Sequence, residues 1–192
     1  MNKAVMISIH PKWCSLIADG RKTVEIRTTR PKIEPPFKCY IYETQASTKI
    51  PRLGGSWYIT RYGCGAIIGE FICDRITPFF ALLGGSIPQW DDADLDKSCV
   101  NREEIVEYIG RKDGFAWHIS DLTIYHRPKE LGRFVKPFCE HWQVDGTCIS
   151  KKLCNERSIE SNRCYCFGWI PIQKPPQSWC YCGGLLTPTQ SN

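Results

Sequence analysis

Residues 19–27 read Asp-Gly-Arg-Lys-Thr-Val-Glu-Ile-Arg and mark the point at which a helix should give way to a strand. Gly20 suits the position just past a helix end, because a residue without Cβ adopts the left-handed conformation at little cost. From Lys22 onward, side chains are expected to alternate between the two faces of a strand. One face is apolar and suits a core. The other carries three polar groups in a row: Thr23, Glu25 and Arg27.

This polar face has two interpretations. In the first it is solvated, and Glu25 and Arg27 form a weak same-face pair worth roughly 0.2–1 kcal/mol. In the second it is a binding site, where fixed donors and one carboxylate acceptor can bind a polar ligand. The Lys22 ammonium, at the start of the strand, is one of these donors. The alternation taken alone favours the solvated face.

The composition predicts a soluble chain with a real core. Its 192 residues, 42% hydrophobic and 23% charged, suit one domain of ordinary size, or one domain with an elaborate insertion. No stretch approaches the roughly 20 continuous apolar residues of a membrane span. The apolar run in residues 1–9 is too short for a secretory signal. We therefore expect a cytoplasmic protein with no membrane partner.

Charge is concentrated near the start of the chain. Residues 1–40 contain eight Lys or Arg and three acids, so their net charge of +5 equals the formal charge of the whole chain. A basic surface beside residues 19–27 suits a phosphate-bearing partner, because neutralised phosphates release counterions. Ordinary solubilising lysines are the alternative.

Periodicity and capping signals predict the order of the remaining elements. Helices are expected from Pro11, a residue suited to a first helical position, and over residues 101–109, where Asn101 is the N-cap. The predicted strands are residues 4–9, 37–44, 66–76, 115–125 and 177–182. Residues 45–65 are interpreted as a loop with at most a short strand at 57–59, and residues 77–98 as irregular. The acidic run at 91–96 is expected to be a solvated loop.

Residues 20–27 also fit the pattern G-x-K-x-x-E-x-R, the signature of the ASCH domain, a relative of the PUA-like RNA-binding barrels. Further stretches occur in the order expected of that family: I-S-I-H-P-K-W-C at 7–14, P-F-K-C-Y-I-Y at 36–42, G-E-F at 69–71, W-H-I-S-D-L at 117–122 and P-P-Q-S-W-C at 175–180. Over residues 3–135 and 170–183 the chain resembles the ASCH proteins of bacteria and their phages.

The resemblance implies an α+β fold, a small, mostly antiparallel PUA-like β-barrel with flanking short helices. The barrel is predicted to comprise residues 1–136 and 169–184. Residues 137–168 are Cys-rich and weakly periodic, and are interpreted as an irregular insertion. Residues 185–192 are expected to be a flexible tail.

Twelve cysteines are many for a cytoplasmic chain, and seven lie in its last third. Without an export signal this density favours metal ligands or reduced thiols over disulfides. The insertion offers candidate ligands for a structural zinc ion: Cys139, Cys148, Cys154, Cys164 and Cys166, with His141 nearby. Their spacing is irregular and no C-x-x-C pair occurs, so free thiols and disulfides remain alternatives. No cofactor is predicted for the barrel.

The resemblance also implies a function, the binding of RNA or of a modified nucleoside or nucleotide in a basic cleft beside the motif. Lys22 and Arg27 would contact phosphate or a base carbonyl, and Glu25 would accept from an exocyclic amine or orient Arg27. A tryptophan would offer a stacking face. The remaining predicted ligand-binding residues are Lys12, Trp13, Thr23, Trp117 and His118.

Two alternatives remain open. Some small ASCH proteins resemble this chain and remove the acetyl group from N4-acetylcytidine, with chemistry ascribed to a lysine, a threonine three residues later and a distant glutamate. Here Lys22 is present, but Glu25 stands where the threonine would be, so Glu25 or Glu70 is the predicted acid–base partner of a hydrolase. The other alternative is a protein-interaction module of the transcription-coactivator type.

Overall fold

The computed structural model describes residues 4–51, 55, 57–79, 92–110, 112–139 and 167–183. The helices in these ranges are α1 (Pro11–Ala18), α2 (Asp92–Ser98) and α3 (Arg102–Ile109), with a 3-10 turn at Leu131–Arg133. The strands are β1 (Ala4–Ile9), β2 (Val24–Arg27), β3 (Phe37–Glu43), β4 (Ala46–Pro51), β5 (Trp57–Tyr62), β6 (Ala66–Phe79), β7 (Gly114–Lys129), β8 (Val135–Cys139), β9 (Phe167–Pro171) and β10 (Trp179–Cys182).

Six strands form the main sheet in the order β10-β1-β3-β6-β7-β2. All neighbouring pairs are antiparallel except β1 and β3, which run parallel. The other described strands form two-stranded ribbons, β4 with β5 and β8 with β9. This architecture confirms the predicted α+β class and agrees with a PUA-like arrangement, although the described ladder ends at β10 and β2 instead of closing.

Local signals account for the two longer helices. Pro11 begins α1, and the His10 side chain accepts a hydrogen bond from the Lys12 N–H, at 3.3 Å. Gly20 follows α1 with φ of 72°, the left-handed conformation expected of it. Asn101 caps α3 through a reciprocal pair of hydrogen bonds with Glu104, of 2.7 and 3.2 Å. These sequence predictions are confirmed.

Strand β2 is covered on both sides. Val24 and Ile26 pack with Phe79 of β6 and with Ile105 and Ile109 of α3 in one hydrophobic cluster. The opposite, polar side of β2 is also buried, so all four residues of the strand are shielded from solvent. The predicted apolar face is therefore confirmed, and the solvated interpretation of the polar face is wrong.

Two segments expected to be irregular have regular structure. Residues of β4 and β5 pair antiparallel from Ala46 opposite Tyr62 to Pro51 opposite Trp57. Strand β5 is rich in aromatic and β-branched residues, which favour strand. The acidic run forms most of α2, where Asp92 and Asp94 occupy the first turn and complement the helix dipole. Asp94 is buried, so this segment is not a solvated loop.

Most of the predicted Cys-rich insertion, residues 140–166, lies outside the described residues. Strands β8 and β9 pair on either side of it. The predicted domain boundaries, including the tail at 185–192, stay predictions. Within the ranges that the structure describes, no helix has the length and apolar character required to cross a membrane.

Candidate functional site

A cavity of about 580 Å³ opens beside the polar side of β2. Its volume lies within the 300–1,000 Å³ typical of ligand pockets. The end of β1, the start of α1, α3 and the segment at 175–177 form the other walls. The lining residues of this β2 cavity are Ser8, His10, Trp13, Lys22, Glu25, Ile26, Arg27, Thr44, Val100, Glu104, Ile105, Tyr108, Pro175, Pro176 and Gln177.

The predicted motif residues meet in the wall of this cavity. One carboxylate oxygen of Glu25 lies 3.2 Å from Lys22 Nζ, and the other lies 3.0 Å from Arg27 Nη2. The three side chains are 1% to 8% exposed. Strand β2 positions Glu25 and Arg27 on the same side, and the turn after α1 brings Lys22 beside them. The sequence motif is thus a single buried ionic network.

Backbone carbonyls hold the two cations in place. Lys22 Nζ donates to the Ser98 carbonyl at 2.6 Å, and Arg27 Nη2 donates to the Ser8 carbonyl at 2.6 Å. Arg27 Nη1 reaches the Ser178 hydroxyl at 3.4 Å. Two cations face one carboxylate, so the network has excess positive charge. Arg27 Nε is buried without a hydrogen-bond partner among the described residues, which leaves one donor of the guanidinium unsatisfied.

Aromatic side chains flank the charged wall. The Trp13 ring lies 5.1 Å from Lys22 Nζ and 4.1 Å from Lys12 Nζ, within the range of a cation–π contact. Lys12 also lies 3.6 Å from Glu104, a residue of the cavity lining. Tyr108 of α3 lines the cavity as well and is 52% exposed. Trp13 and Tyr108 therefore offer ring surface to an occupant of the cavity.

Thr23 and His118 belong to a second opening. They line a cavity of about 460 Å³ together with Asp74, Arg75, Lys97 and Ile119. Thr23 precedes the first residue of β2 and does not share the side of Glu25 and Arg27. In this structure Thr23 and His118 therefore do not share the β2 cavity with the motif residues, and their role in ligand binding stays a prediction.

His118 is embedded in a polar cluster of its own. Its Nε2 lies 3.3 Å from Asp94 Oδ2 and 3.0 Å from the Thr77 hydroxyl, while its Nδ1 accepts from Arg75 Nη2 at 3.2 Å. Burial lowers the pKa of His118, the nearby Asp94 carboxylate opposes that change and the Arg75 charge reinforces it. This pattern fits a neutral imidazole that carries its proton on Nε2.

Two further predicted site residues lie elsewhere. Trp117 is fully buried and packs against Phe37 and Trp179, with ring centroids 5.9 and 6.2 Å away, so it exposes no stacking face. Glu70 accepts from Lys38 at 2.7 Å and from the Tyr125 hydroxyl at 2.5 Å. Burial opposes ionisation of Glu70, but these hydrogen bonds prevail and lower its pKa. It is therefore a structural carboxylate rather than a partner of Lys22.

Sequence reasoning missed several residues of the β2 cavity. His10, Tyr108 and Glu104 line it, as does the segment at 175–177. His10 stands within a stretch already used for the family resemblance, which was a usable signal. Tyr108 and Glu104 lie some eighty residues from the motif. No local pattern shows which distant helix covers a strand.

The structure does not address the proposed zinc site. The predicted ligands Cys148, Cys154, Cys164 and Cys166 lie outside the described residues, and for Cys139 only the backbone is described. Within the described part of the chain, no three His, Cys, Asp or Glu side chains are grouped so that they could hold a metal ion. The zinc ion in the insertion stays a prediction.

Together, the sheet and the charged cavity define a small α+β domain with a built polar pocket at the β2 edge. Residues 7–76 match the family model described as the ASCH domain, so the chain is similar to that family over this range. The matched range contains the end of β1, all of α1 and the whole motif. No curated protein matches the chain significantly.

Solved structures similar to this chain include ASCH proteins from Zymomonas mobilis. One, a point mutant, has 18% identity and a TM-score of 0.49, and the alignment covers 97% of this chain and 92% of that one. Another, described as ASCH from Zymomonas mobilis, has 17% identity and a TM-score of 0.46, with 96% and 88% covered.

Proposed function

We propose that the β2 cavity binds one nucleotide of an RNA or a modified nucleoside. The observation that carries this proposal is the convergence of Lys22, Glu25 and Arg27 on one cavity wall. A nucleotide presents an aromatic ring, carbonyl and amine groups and a phosphate. The cavity offers ring faces, fixed donors, one carboxylate and excess positive charge, which is the complementary set.

Each wall of the cavity has a separate role in this proposal. The excess positive charge attracts a phosphate or a base carbonyl, and this attraction is stronger inside a partly closed cavity than in water. Glu25 accepts from an exocyclic amine. Trp13 or Tyr108 stacks on the base, a contact worth roughly 1–3 kcal/mol. The net charge of +5 in residues 1–40 draws an anionic ligand toward this side.

Replacing Lys22 with methionine tests the proposal, because it removes the charge and keeps an unbranched apolar side chain. We expect Lys22→Met to weaken the binding of cytidine monophosphate and of single-stranded RNA by roughly tenfold or more. Calorimetry or fluorescence titration measures the affinity, and circular dichroism checks the fold. The logarithm of the wild-type affinity should also fall linearly with the logarithm of the salt concentration.

Two further variants make that experiment decisive. Lys38→Met is the matched control, since Lys38 also pairs with a glutamate, at 2.7 Å, but does not line the cavity. Tyr108→Ala tests the cavity without touching a buried charge, because Tyr108 is half exposed. Binding that survives both Lys22→Met and Tyr108→Ala unchanged would remove the β2 cavity as the ligand site.

A second candidate function is the hydrolysis of an acyl amide on a base, as in N4-acetylcytidine. The observation that favours it is the direct contact of 3.2 Å between Lys22 and Glu25 in the wall of a ligand-sized cavity. In this reaction water adds to the amide carbonyl, the C–N bond breaks, and a carboxylic acid and the free amine leave. Glu25 would relay the proton, since Glu70 lies outside the cavity.

Incubating the protein with N4-acetylcytidine and separating the products by chromatography distinguishes catalysis from binding. A hydrolase releases cytidine and acetate, and both Lys22→Met and Glu25→Gln stop the release. Binding of N4-acetylcytidine with no cytidine formed would leave the protein a binder of modified nucleosides.

A further inference from the structure

The β4–β5 hairpin exposes one face on which apolar and cationic side chains are mixed. Side chains alternate along β5, so Trp57, Ile59 and Arg61 share a face. Lys49 pairs across the ribbon with Ile59 and joins that face. Trp57 is 62% and Ile59 64% exposed, which is unusual for large apolar residues in strands. We call this surface the Trp57 face.

The hairpin is also positively charged without compensation. Residues 46–62 contain Lys49, Arg52 and Arg61 and no Asp or Glu. Lys49 and Arg61 are exposed. A protein surface that only mixes solubilising charges would contain both signs. The absence of acids over a whole hairpin favours a partner that is uniformly negative.

The root of the hairpin is fixed at the rim of the β2 cavity. The Tyr62 hydroxyl lies 3.5 Å from His10 Nε2, and the two rings meet edge to face at 5.9 Å. Gly63 has φ of 86°, and a Cβ there would lie 2.2 Å from the Thr44 carbonyl oxygen and 2.6 Å from Pro11. His10 and Thr44 both line the cavity. The ribbon therefore starts where the cavity opens.

We propose that the Trp57 face binds the single-stranded RNA segment adjoining the nucleotide in the β2 cavity, which makes RNA, rather than a free nucleoside, the ligand of this site. The inference rests on the proposed function of the cavity. Bases stack on Trp57, while Lys49 and Arg61 contact the phosphates between them. Strand geometry places Trp57 about 16 Å along β5 from Tyr62, whose ring contacts His10 at the cavity.

This combination of groups suits a single strand better than a duplex. An aromatic ring stacks only on bases that are unpaired and exposed, whereas duplex RNA is recognised through its shape and its 2′-hydroxyls. Stacking tolerates every base, so the Trp57 face supplies affinity, and the cavity selects the nucleotide.

The test compares two probes and three variants. The probes are cytidine monophosphate and a mixed-sequence single-stranded RNA of roughly 12 nucleotides. Trp57→Ala should weaken RNA binding by roughly 5- to 100-fold and leave cytidine monophosphate binding unchanged. The double variant Lys49→Ala/Arg61→Ala should reduce the slope of log affinity against log salt by about 1.4, at about 0.7 per phosphate contact. Arg127→Ala is the control, an exposed arginine on β7.

Each outcome decides between the hairpin and the cavity. RNA affinity that stays at the wild-type value in Trp57→Ala and in the double variant overturns the hairpin inference, and the cavity is then judged by Lys22→Met alone. Loss of RNA binding in Trp57→Ala with no effect of Lys22→Met or Tyr108→Ala removes the cavity, and with it the continuous path proposed here. Self-association that Trp57→Ala abolishes while RNA binding persists would assign the face to a second copy of the chain.

Discussion

The two sides of the segment from Lys22 to β2 carry polar clusters of different kinds. On the cavity side, Lys22, Glu25 and Arg27 form a network held by opposite charges at 3.0 and 3.2 Å. On the other side, the imidazole of His118 lies between Asp94 and Arg75. Both clusters have buried members, although the Arg75 side chain is exposed. They differ in whether the charge is set by ion pairing or by a histidine whose pKa is lowered by burial.

The difference shows that buried polar groups can have different roles within one protein. A buried cation with a paired carboxylate keeps its charge at the expense of desolvation, and so presents a constant field to a cavity. A buried imidazole avoids that expense by remaining neutral. We therefore expect the cavity side to respond to the removal of a partner and the His118 side to respond to pH.

Removing the shared carboxylate should have the largest effect. Glu25→Gln keeps the size of the side chain but leaves two buried cations without a counter-charge. Breaking a buried pair in this way costs roughly 3–5 kcal/mol, so the free energy of unfolding should fall by about that amount. Urea denaturation followed by tryptophan fluorescence measures it.

The same stretch of sequence contains the control. Arg21 and Asp19 form an ion pair of 2.9 Å whose side chains are more than half exposed. Exposed pairs contribute about 0–1 kcal/mol, so Asp19→Asn should change stability within that range. If Glu25→Gln lowers the free energy of unfolding no more than Asp19→Asn does, the cavity network is solvated. The proposed difference between the two sides of β2 would then be wrong.

A smaller, pH-dependent effect is expected on the other side. Since burial holds the pKa of His118 below its usual value, the unfolded chain binds the proton more readily than the folded one. The contribution of His118 to stability is therefore complete above about pH 6.5 and is lost as the pH falls from there toward the folded pKa. His118→Gln should reduce the dependence of the free energy of unfolding on pH over this range.

Urea midpoints measured at a series of pH values between about 8 and 5 provide the check. The charged groups that face His118 are Asp94, Arg75, Asp74 and Lys97. Because salt screens these charges, the loss of stability at acid pH should appear at both low and high salt, but with different steepness. His126→Gln, which replaces an exposed histidine on the same strand, should leave the profile as it is. The prediction would be contradicted if the urea midpoint fell equally at acid pH in the wild type and in His118→Gln.

Local signals predicted much of the fold. Pro11, Gly20 and Asn101 marked helix ends because caps and left-handed turns depend on a few neighbouring residues. Alternation within β2 predicted an apolar side and a polar side. The acidic run of α2 was misinterpreted, although Asp92 and Asp94 are favourable in the first turn of a helix. The aromatic and β-branched residues of β5 were also an available strand signal.

What the sequence did not reveal depends on contacts between distant segments. The polar side of β2 is buried because α1, α3 and the segment at 175–177 surround it, and no periodicity encodes that cover. For the same reason Trp117, part of a stretch used for the family resemblance, proved to be a core residue. His118, its neighbour in sequence, points to a separate cavity.

The close approach of Gly63 to Thr44 and Pro11 has a consequence for protein engineering. The junction of the hairpin with the body of the domain admits no larger side chain, whereas Gly55 near its outer end has open space around it. The ribbon is therefore a graft site. Exchanging the outer part for other hairpin tips, while residues 43–44 and 63–64 are kept, should change the exposed surface of the ribbon without rebuilding the scaffold of the domain.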